Sequence, residues 1–229
     1  MTELYLLRHG ETEWNRALRF QGQVDVPLND VGHAQALRLA KRLADGGLNA
    51  LICSDLQRAR QTAQPLADVL GMESVPLPGL REQNFGQVDG MKVEDIQTQF
   101  PQEWAQWILF DANYALPGAE SAEQFHQRVM EALSAVVTRY GGDDRRLAVV
   151  THGGVLDMIY RTAKGLSLSG PRECQIPNAA INRLQAEWRD GKLMLSIEVW
   201  ADVQHLADMP PQPVYDQARL AKLLSPKLA

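Results

Sequence analysis

Short apolar runs alternate with stretches of helical periodicity along this chain. Residues 4–7, 50–53 and 146–151 are runs of the kind a parallel sheet buries on both faces. Residues 74–77 give a further short strand, which Pro76 places at a sheet edge. Between the strands, Asn29 or Asp30 is expected to cap a helix to about residue 45, with Ala34, Leu37, Ala40 and Leu43 on its apolar face and Gly46-Gly47 stopping it. Ser54-Asp55 is expected to cap a second helix over residues 56–70, ended by Gly71. Ser121 and Gln124 form a capping-box pattern before a helix to residue 140, where Phe125, Val129, Leu133 and Val136 make one stripe. A helix over residues 155–164 follows the run that ends in Thr151. Residues 178–188 and 192–200 read as a hairpin across Asp190-Gly191. Residues 14–27 carry no period and read as irregular. No internal repeat is visible. This β–α alternation predicts an α/β fold.

Two segments depart from the alternation. Residues 91–117 are aromatic, with Phe100, Trp104, Trp107, Phe110 and Tyr114. They predict short helices over 93–100 and 103–110 separated by Pro101. Such a segment serves either as a lid over a pocket or as a satellite hydrophobic cluster. The proline-rich residues 209–213 break regular structure, and residues 214–224 read as a short amphipathic tail of helical character.

Composition narrows the class. A chain of 229 residues, 45% hydrophobic, can bury a sizeable core. Its net charge of −5 and pI near 5.6 argue against nucleic acid as a partner. Cys53 and Cys174 offer neither a disulfide framework nor zinc spacing, and Cys53 reads as a small core residue. No apolar run approaches the roughly 20 residues that span a bilayer. The chain enters a strand at once with no signal-peptide pattern, so a cytoplasmic location is expected.

The chemistry gathers at strand ends. Arg8-His9-Gly10 closes the first strand, at the carboxyl edge where open α/β sheets place ligands. Histidine is a neutral nucleophile near pH 7, and the adjacent arginine grips phosphate oxygens with a planar fork. The neighbouring cation also biases the imidazole toward its neutral form. His152-Gly153-Gly154 repeats the arrangement at the strand ending in Thr151, and the Gly153 N–H would face an anion at a helix N-terminus. Arg58 falls in the first turn of a helix after a strand, either at that edge or as a solvated helix arginine. Glu82 lies in a loop with two glycines nearby, where a carboxyl close to an apolar group can donate a proton; a plain surface glutamate is the alternative. His33 and His126 read as surface residues.

Four motifs in order carry a resemblance: Arg8-His9-Gly10-Glu11-Thr12 with Trp14-Asn15; Ser54-Asp55-Leu56 with Arg58-Ala59 and Thr62-Ala63; Leu80-Arg81-Glu82 with Phe85-Gly86; and Thr151-His152-Gly153-Gly154. With them the chain resembles the histidine phosphatase superfamily, also called phosphoglycerate mutase-like, over residues 4–200. The resemblance implies a three-layer α/β/α sandwich with a mostly parallel sheet, one domain over residues 1–208 and a tail over 209–229. It implies that His9 takes the phosphoryl group as a phosphohistidine. Arg8, Arg58 and His152 would hold the phosphoryl oxygens, assisted by Asn15 and the Gly153 N–H. Glu82 would be the acid and then the base. Thr12, Gln21, Gly22 and Phe85 are further pocket candidates. No metal and no cofactor are implied. The expected partner is a small phosphorylated metabolite, and a homodimer through the hairpin edge or tail is compatible with the pattern. Glycolytic mutases of the family carry a tyrosine after the acid glutamate and arginines in a long insertion. Here Phe85 takes that place and residues 91–117 contain no arginine, which favours hydrolysis over a phosphoglycerate mutase. A non-catalytic phosphate-binding protein is the remaining alternative.

Overall fold

The computed structural model describes residues 1–213. In chain order it contains β1 (Thr2–Arg8), α1 (Glu13–Arg16), α2 (Asp30–Leu43), β2 (Ala50–Cys53), α3 (Gln57–Leu70), β3 (Ser74–Pro76), α4 (Val93–Gln99), α5 (Pro101–Trp107), α6 (Ala122–Tyr140), β4 (Arg145–Thr151), α7 (Gly153–Lys164), β5 (Ile181–Arg189) and β6 (Lys192–Asp202). The strands form one sheet in the order β3-β2-β4-β1-β5-β6. β1 to β4 run parallel, and β5 and β6 join antiparallel as the hairpin predicted around Asp190-Gly191.

Alternation along β1 builds the three layers. Leu4 and Leu6 face one side, with Leu147 and Val149 of β4, against Phe125, Val129 and Leu133 of α6 and Leu156 and Ile159 of α7. Tyr5 and Leu7 face the other side, with Ala148 and Val150, against Leu39 and Leu43 of α2 and Ala63 and Leu66 of α3. Burial on both faces explains why these strands read as continuous apolar runs. The α6 stripe predicted from its spacing is buried throughout, and its capping box forms between Ser121 and Gln124.

Several local expectations are corrected. The buried face of α2 is Ala36, Leu39, Ala40 and Leu43, with Gly32 and Gln35, while Leu37 is 63% exposed. Leu37 therefore sits one position off the true stripe. α3 is not capped by Ser54 or Asp55: Leu56 holds the cap position without a side-chain bond. Ser54 instead meets His152, and Asp55 pairs with Arg81. Residues 13–16, read as irregular, form a helical turn because Thr12 and Asn15 make a capping box. Pro101 begins α5 rather than separating it, since its missing N–H costs nothing at the first helical position. His126 is half-buried and bonds the Thr162 hydroxyl at 2.8 Å.

The aromatic segment forms its own cluster. Trp104 and Ile96 pack with Phe20, Val88 and Leu116, and Phe85 and Trp107 join from the cavity side. It is thus a satellite core, from which Trp107 reaches the cavity. The tail helix expected over residues 214–224 lies outside the described residues. Among the described residues no helix is long and apolar enough to cross a membrane.

Candidate active site

Register brings the two histidines together. β1 pairs with β4 so that Arg8 lies opposite Thr151, and His9 and His152 leave adjacent strand ends. Their ring centroids are 5.2 Å apart. β1 feeds a helix on one face of the sheet and β4 feeds α7 on the other, and the divergence opens a crevice between them.

The orientation of His9 follows from its hydrogen bonds. Its backbone N–H donates to the Thr151 carbonyl at 2.9 Å. Its Nδ1 lies 2.7 Å from the Gly10 carbonyl oxygen. A carbonyl only accepts, so Nδ1 carries the proton and Nε2 keeps its lone pair. Burial, then the Arg58 and Arg8 charges, hold its pKa well below 6.5. The ring is therefore neutral with a free nucleophilic nitrogen.

Arg58 is fully buried, against the solvated alternative. Its Nε donates to His152 Nδ1 at 3.2 Å, and its two terminal nitrogens donate to the Val24 and Gly22 carbonyls at 2.8 Å each. Because His152 Nδ1 accepts, its Nε2–H donates to Ser54 Oγ at 2.8 Å. His152 is fully buried, its pKa lowered by burial and by Arg58. It stands behind the cavity wall, with both nitrogens engaged. Gly22 has φ of +48°, and a Cβ there would fall 1.7 Å from an Asp89 carboxylate oxygen, so glycine alone fits. Asp89 accepts from the Gln23 and Phe85 backbone N–H groups, which ties the Arg58-held loop to the Phe85 loop.

Arg8 donates from Nη1 to the Ile176 carbonyl, and its buried Nε has no partner among the described residues. Burial, then the Arg172 charge, push its pKa down to about 10, so it remains cationic at neutral pH. Glu82 accepts from the Gly154 N–H at 3.0 Å and from the Gln83 N–H at 2.9 Å. A Cβ on Gly154 would stand 2.1 Å from its carboxylate, so that glycine admits Glu82 to the helix N-terminus. The Gly153 N–H, at the first position of α7, lacks an intrahelical acceptor.

These groups border a cavity of about 660 Å³. Arg8, His9, Asn15, Arg58, Glu82 and Gly153 line it, as do Gln21, Gly22 and Phe85. Thr12 is fully buried and does not; its hydroxyl meets Asn15 Oδ1 at 3.1 Å and Gln21 Oε1 at 3.0 Å. Phe20, Phe85 and Trp107 give the cavity an apolar side, with Phe20 edge-on to both.

Three contributors escaped the sequence reading. Asn178, placed there inside a strand, precedes it in a turn. Its Nδ2 donates to the carbonyls of His9 (3.0 Å) and Gly10 (3.3 Å) and to Asn15 Oδ1 (3.2 Å). Gln212 clasps the Asn178 backbone from the proline-rich segment, accepting from its N–H at 2.6 Å and donating to its carbonyl at 3.0 Å. Arg172 lines the cavity beside Arg8. The Pro177-Asn178 break was the one available signal for the turn.

Comparison with known proteins shows the family. The family model of the histidine phosphatase superfamily (branch 1) matches residues 4–198. A metal-independent phosphoserine phosphatase of Arabidopsis thaliana is 35% identical over 212 residues, 91% of this chain and 85% of that protein. A probable phosphoglycerate mutase, GpmB, of Erwinia tasmaniensis is 34% identical over 212 residues, 91% of this chain and 96% of that protein. The solved structure of a mycobacterial glucosyl-3-phosphoglycerate phosphatase superposes with a TM-score of 0.77 at 29% identity, covering 86% of this chain and 98% of that one.

Proposed function

The chain belongs to the histidine phosphatase superfamily, and from that premise we propose that it is a metal-independent phosphomonoesterase acting on a small phosphorylated metabolite through a phosphohistidine on His9. The observation that carries this reading is the His9 ring, protonated on Nδ1 by its bond to Gly10, with Nε2 available in a cavity that Glu82 shares.

The steps follow from the groups present. Nε2 attacks phosphorus as the ester P–O bond breaks, and the leaving oxygen takes a proton from Glu82. Water then gives a proton to Glu82 and attacks the same phosphorus. The P–N bond breaks, its electron pair returns to Nε2, and phosphate leaves. Arg8, Arg58 and the Gly153 N–H carry the charge on the phosphoryl oxygens, fixed before the substrate arrives. Asn15 Oδ1 already accepts from Thr12 and Asn178, which directs its amide N–H toward the same oxygens. His152 holds the Arg58 fork and packs on His9.

Relatives bear both phosphatase and mutase names. Phe85 and the absence of arginine in residues 91–117 favour water as the acceptor. The domain is read as residues 1–208 with the aromatic cover at 91–117, and the cytoplasm as its compartment. The test is hydrolysis of an aryl phosphate by the wild-type chain and its loss in His9→Ala. Phosphate release from phosphoglycerate supports the reading. Isomer formation without phosphate release assigns a mutase instead, and binding without turnover assigns a phosphate-binding protein.

A further inference from the structure

Arg128 lies in the second turn of α6, and no step above uses it. Its five guanidinium N–H groups all donate to protein. Nη1 donates to the Gly79 and Arg81 carbonyls at 3.0 Å each, and Nη2 to the Glu82 carbonyl at 3.2 Å. Nε and Nη2 also donate to the two carboxylate oxygens of Glu120, at 2.7 Å each. Arg128 is not among the residues that line the cavity, and it has no donor left for a ligand.

What it grips is the informative part. Residues 81–85 belong to no helix or strand, so no regular hydrogen bonding fixes the chain that carries Glu82. Side chains do this instead. The Gly79, Arg81 and Glu82 carbonyls accept from Arg128, and the Leu80 carbonyl accepts from Thr151 Oγ1 at 2.8 Å. Glu120 holds the chain just after Glu82. Its carboxylate accepts from the Asn84 N–H at 3.0 Å, its N–H donates to the Asn84 carbonyl at 2.9 Å, and its carbonyl accepts from Gln83 Nε2 at 2.9 Å. The ion pair thus brackets Glu82 from both sides. A general acid works only within hydrogen-bond reach of the atom it protonates, and a shift of about 1 Å can cost about 100-fold in rate.

Resting on the phosphatase reading of the same cavity, we propose that Arg128 and Glu120 are positioning residues that set the Glu82 carboxyl against the leaving oxygen. The Glu82 proton passes to that oxygen as the ester P–O bond breaks. Arg128 and Glu120 touch neither reacting atom and act through the geometry of the loop.

Two aryl phosphates of similar shape test this. Phenyl phosphate releases a basic phenolate that needs the proton, whereas p-nitrophenyl phosphate releases a stable one that does not. The quantity read is kcat/KM, which covers the steps up to departure of the leaving group and excludes the later attack of water. Arg128→Lys keeps the charge but has three donors and no planar fork. Its kcat/KM should fall about 10-fold or more on phenyl phosphate and stay within about threefold of wild type on p-nitrophenyl phosphate. Glu120→Gln keeps the shape and removes the ion pair, and should show the same selective loss at smaller size; it decides the matter if Arg128→Lys does not fold. Equal losses on both substrates in a variant with a cooperative urea transition mark a structural role and overturn the proposal, as does no loss on either. Glu82→Gln is measured on the same two substrates. If its loss is selective while those of Arg128→Lys and Glu120→Gln are not, the positioning proposal alone has failed. If its loss is not selective, or hydrolysis survives in His9→Ala, the phosphatase reading fails and this proposal with it.

Discussion

Replacing Arg58 by lysine is the substitution that separates a built phosphoryl pocket from a merely cationic one. Arg58 spends three donors on protein: His152 Nδ1 at 3.2 Å, and the Val24 and Gly22 carbonyls at 2.8 Å each. An ammonium on a flexible stem cannot reach all three while also facing the cavity. Two acceptors are then orphaned in a buried place, at about 1–3 kcal/mol each. We therefore expect Arg58→Lys to lower unfolding free energy by about 2–6 kcal/mol. Loss of one charge-assisted contact to the phosphoryl group, about 1.5–3 kcal/mol, adds a rate effect. Release of the Gly22 loop, which also carries Gln21, moves part of the cavity wall. Together these predict a fall of about 100-fold or more in kcat/KM. The assay is steady-state hydrolysis of an aryl phosphate alongside urea denaturation of both chains. Near-wild-type turnover with an unchanged midpoint would refute the assignment of Arg58 and the reasoning from its geometry.

Other predictions rest on different groups. His9, His126, His152 and His205 all have pKa values lowered by burial. Unfolded histidines titrate near 6.5, so below that pH the unfolded chain binds protons before the folded one does, and stability falls. Urea midpoints should drop between about pH 7 and pH 5.5, by up to about 1.4 kcal/mol per pH unit for each fully buried histidine; a midpoint that holds or rises contradicts this. Asn178→Asp should damage kcat more than Asn178→Ala, because a carboxylate would face three acceptors that now receive hydrogen bonds; steady-state kinetics showing an active Asp variant would refute the donor role. Gln212→Ala removes both hydrogen bonds to the Asn178 backbone and should raise KM about tenfold with a small change in Tm; an unchanged KM would detach the proline-rich segment from the site.

The sheet and the site motifs were legible because they depend on local pattern. Residues 4–7, 50–53 and 146–151 read as buried strands since both faces of each are covered. The strand-end histidines are informative because parallel register turns two distant Arg/Thr-His steps into neighbours. What stayed hidden is set by tertiary contact. Ser54 looked like a helix cap, and only the arrival of His152 shows where its hydroxyl is used. Leu37 fits an apolar spacing yet faces solvent, because the sheet meets α2 on the face of Ala36 and Leu39. Asn178, Arg172 and Gln212 lie in irregular chain, where no period marks them, and their roles arise from backbone carbonyls and guanidinium groups brought in by folding.

The central claim is a covalent phosphoryl group on His9, and trapping it is the most direct test. After mixing with substrate and quenching in alkali, which spares a phosphoramidate, peptide mapping should place the phosphoryl group on the peptide that holds His9. With p-nitrophenyl phosphate, whose leaving group departs without an acid, the Glu82→Gln chain should accumulate more of it, because water then lacks its base. No label in either chain, or a label on His152, or hydrolysis that persists in His9→Ala, would contradict the account.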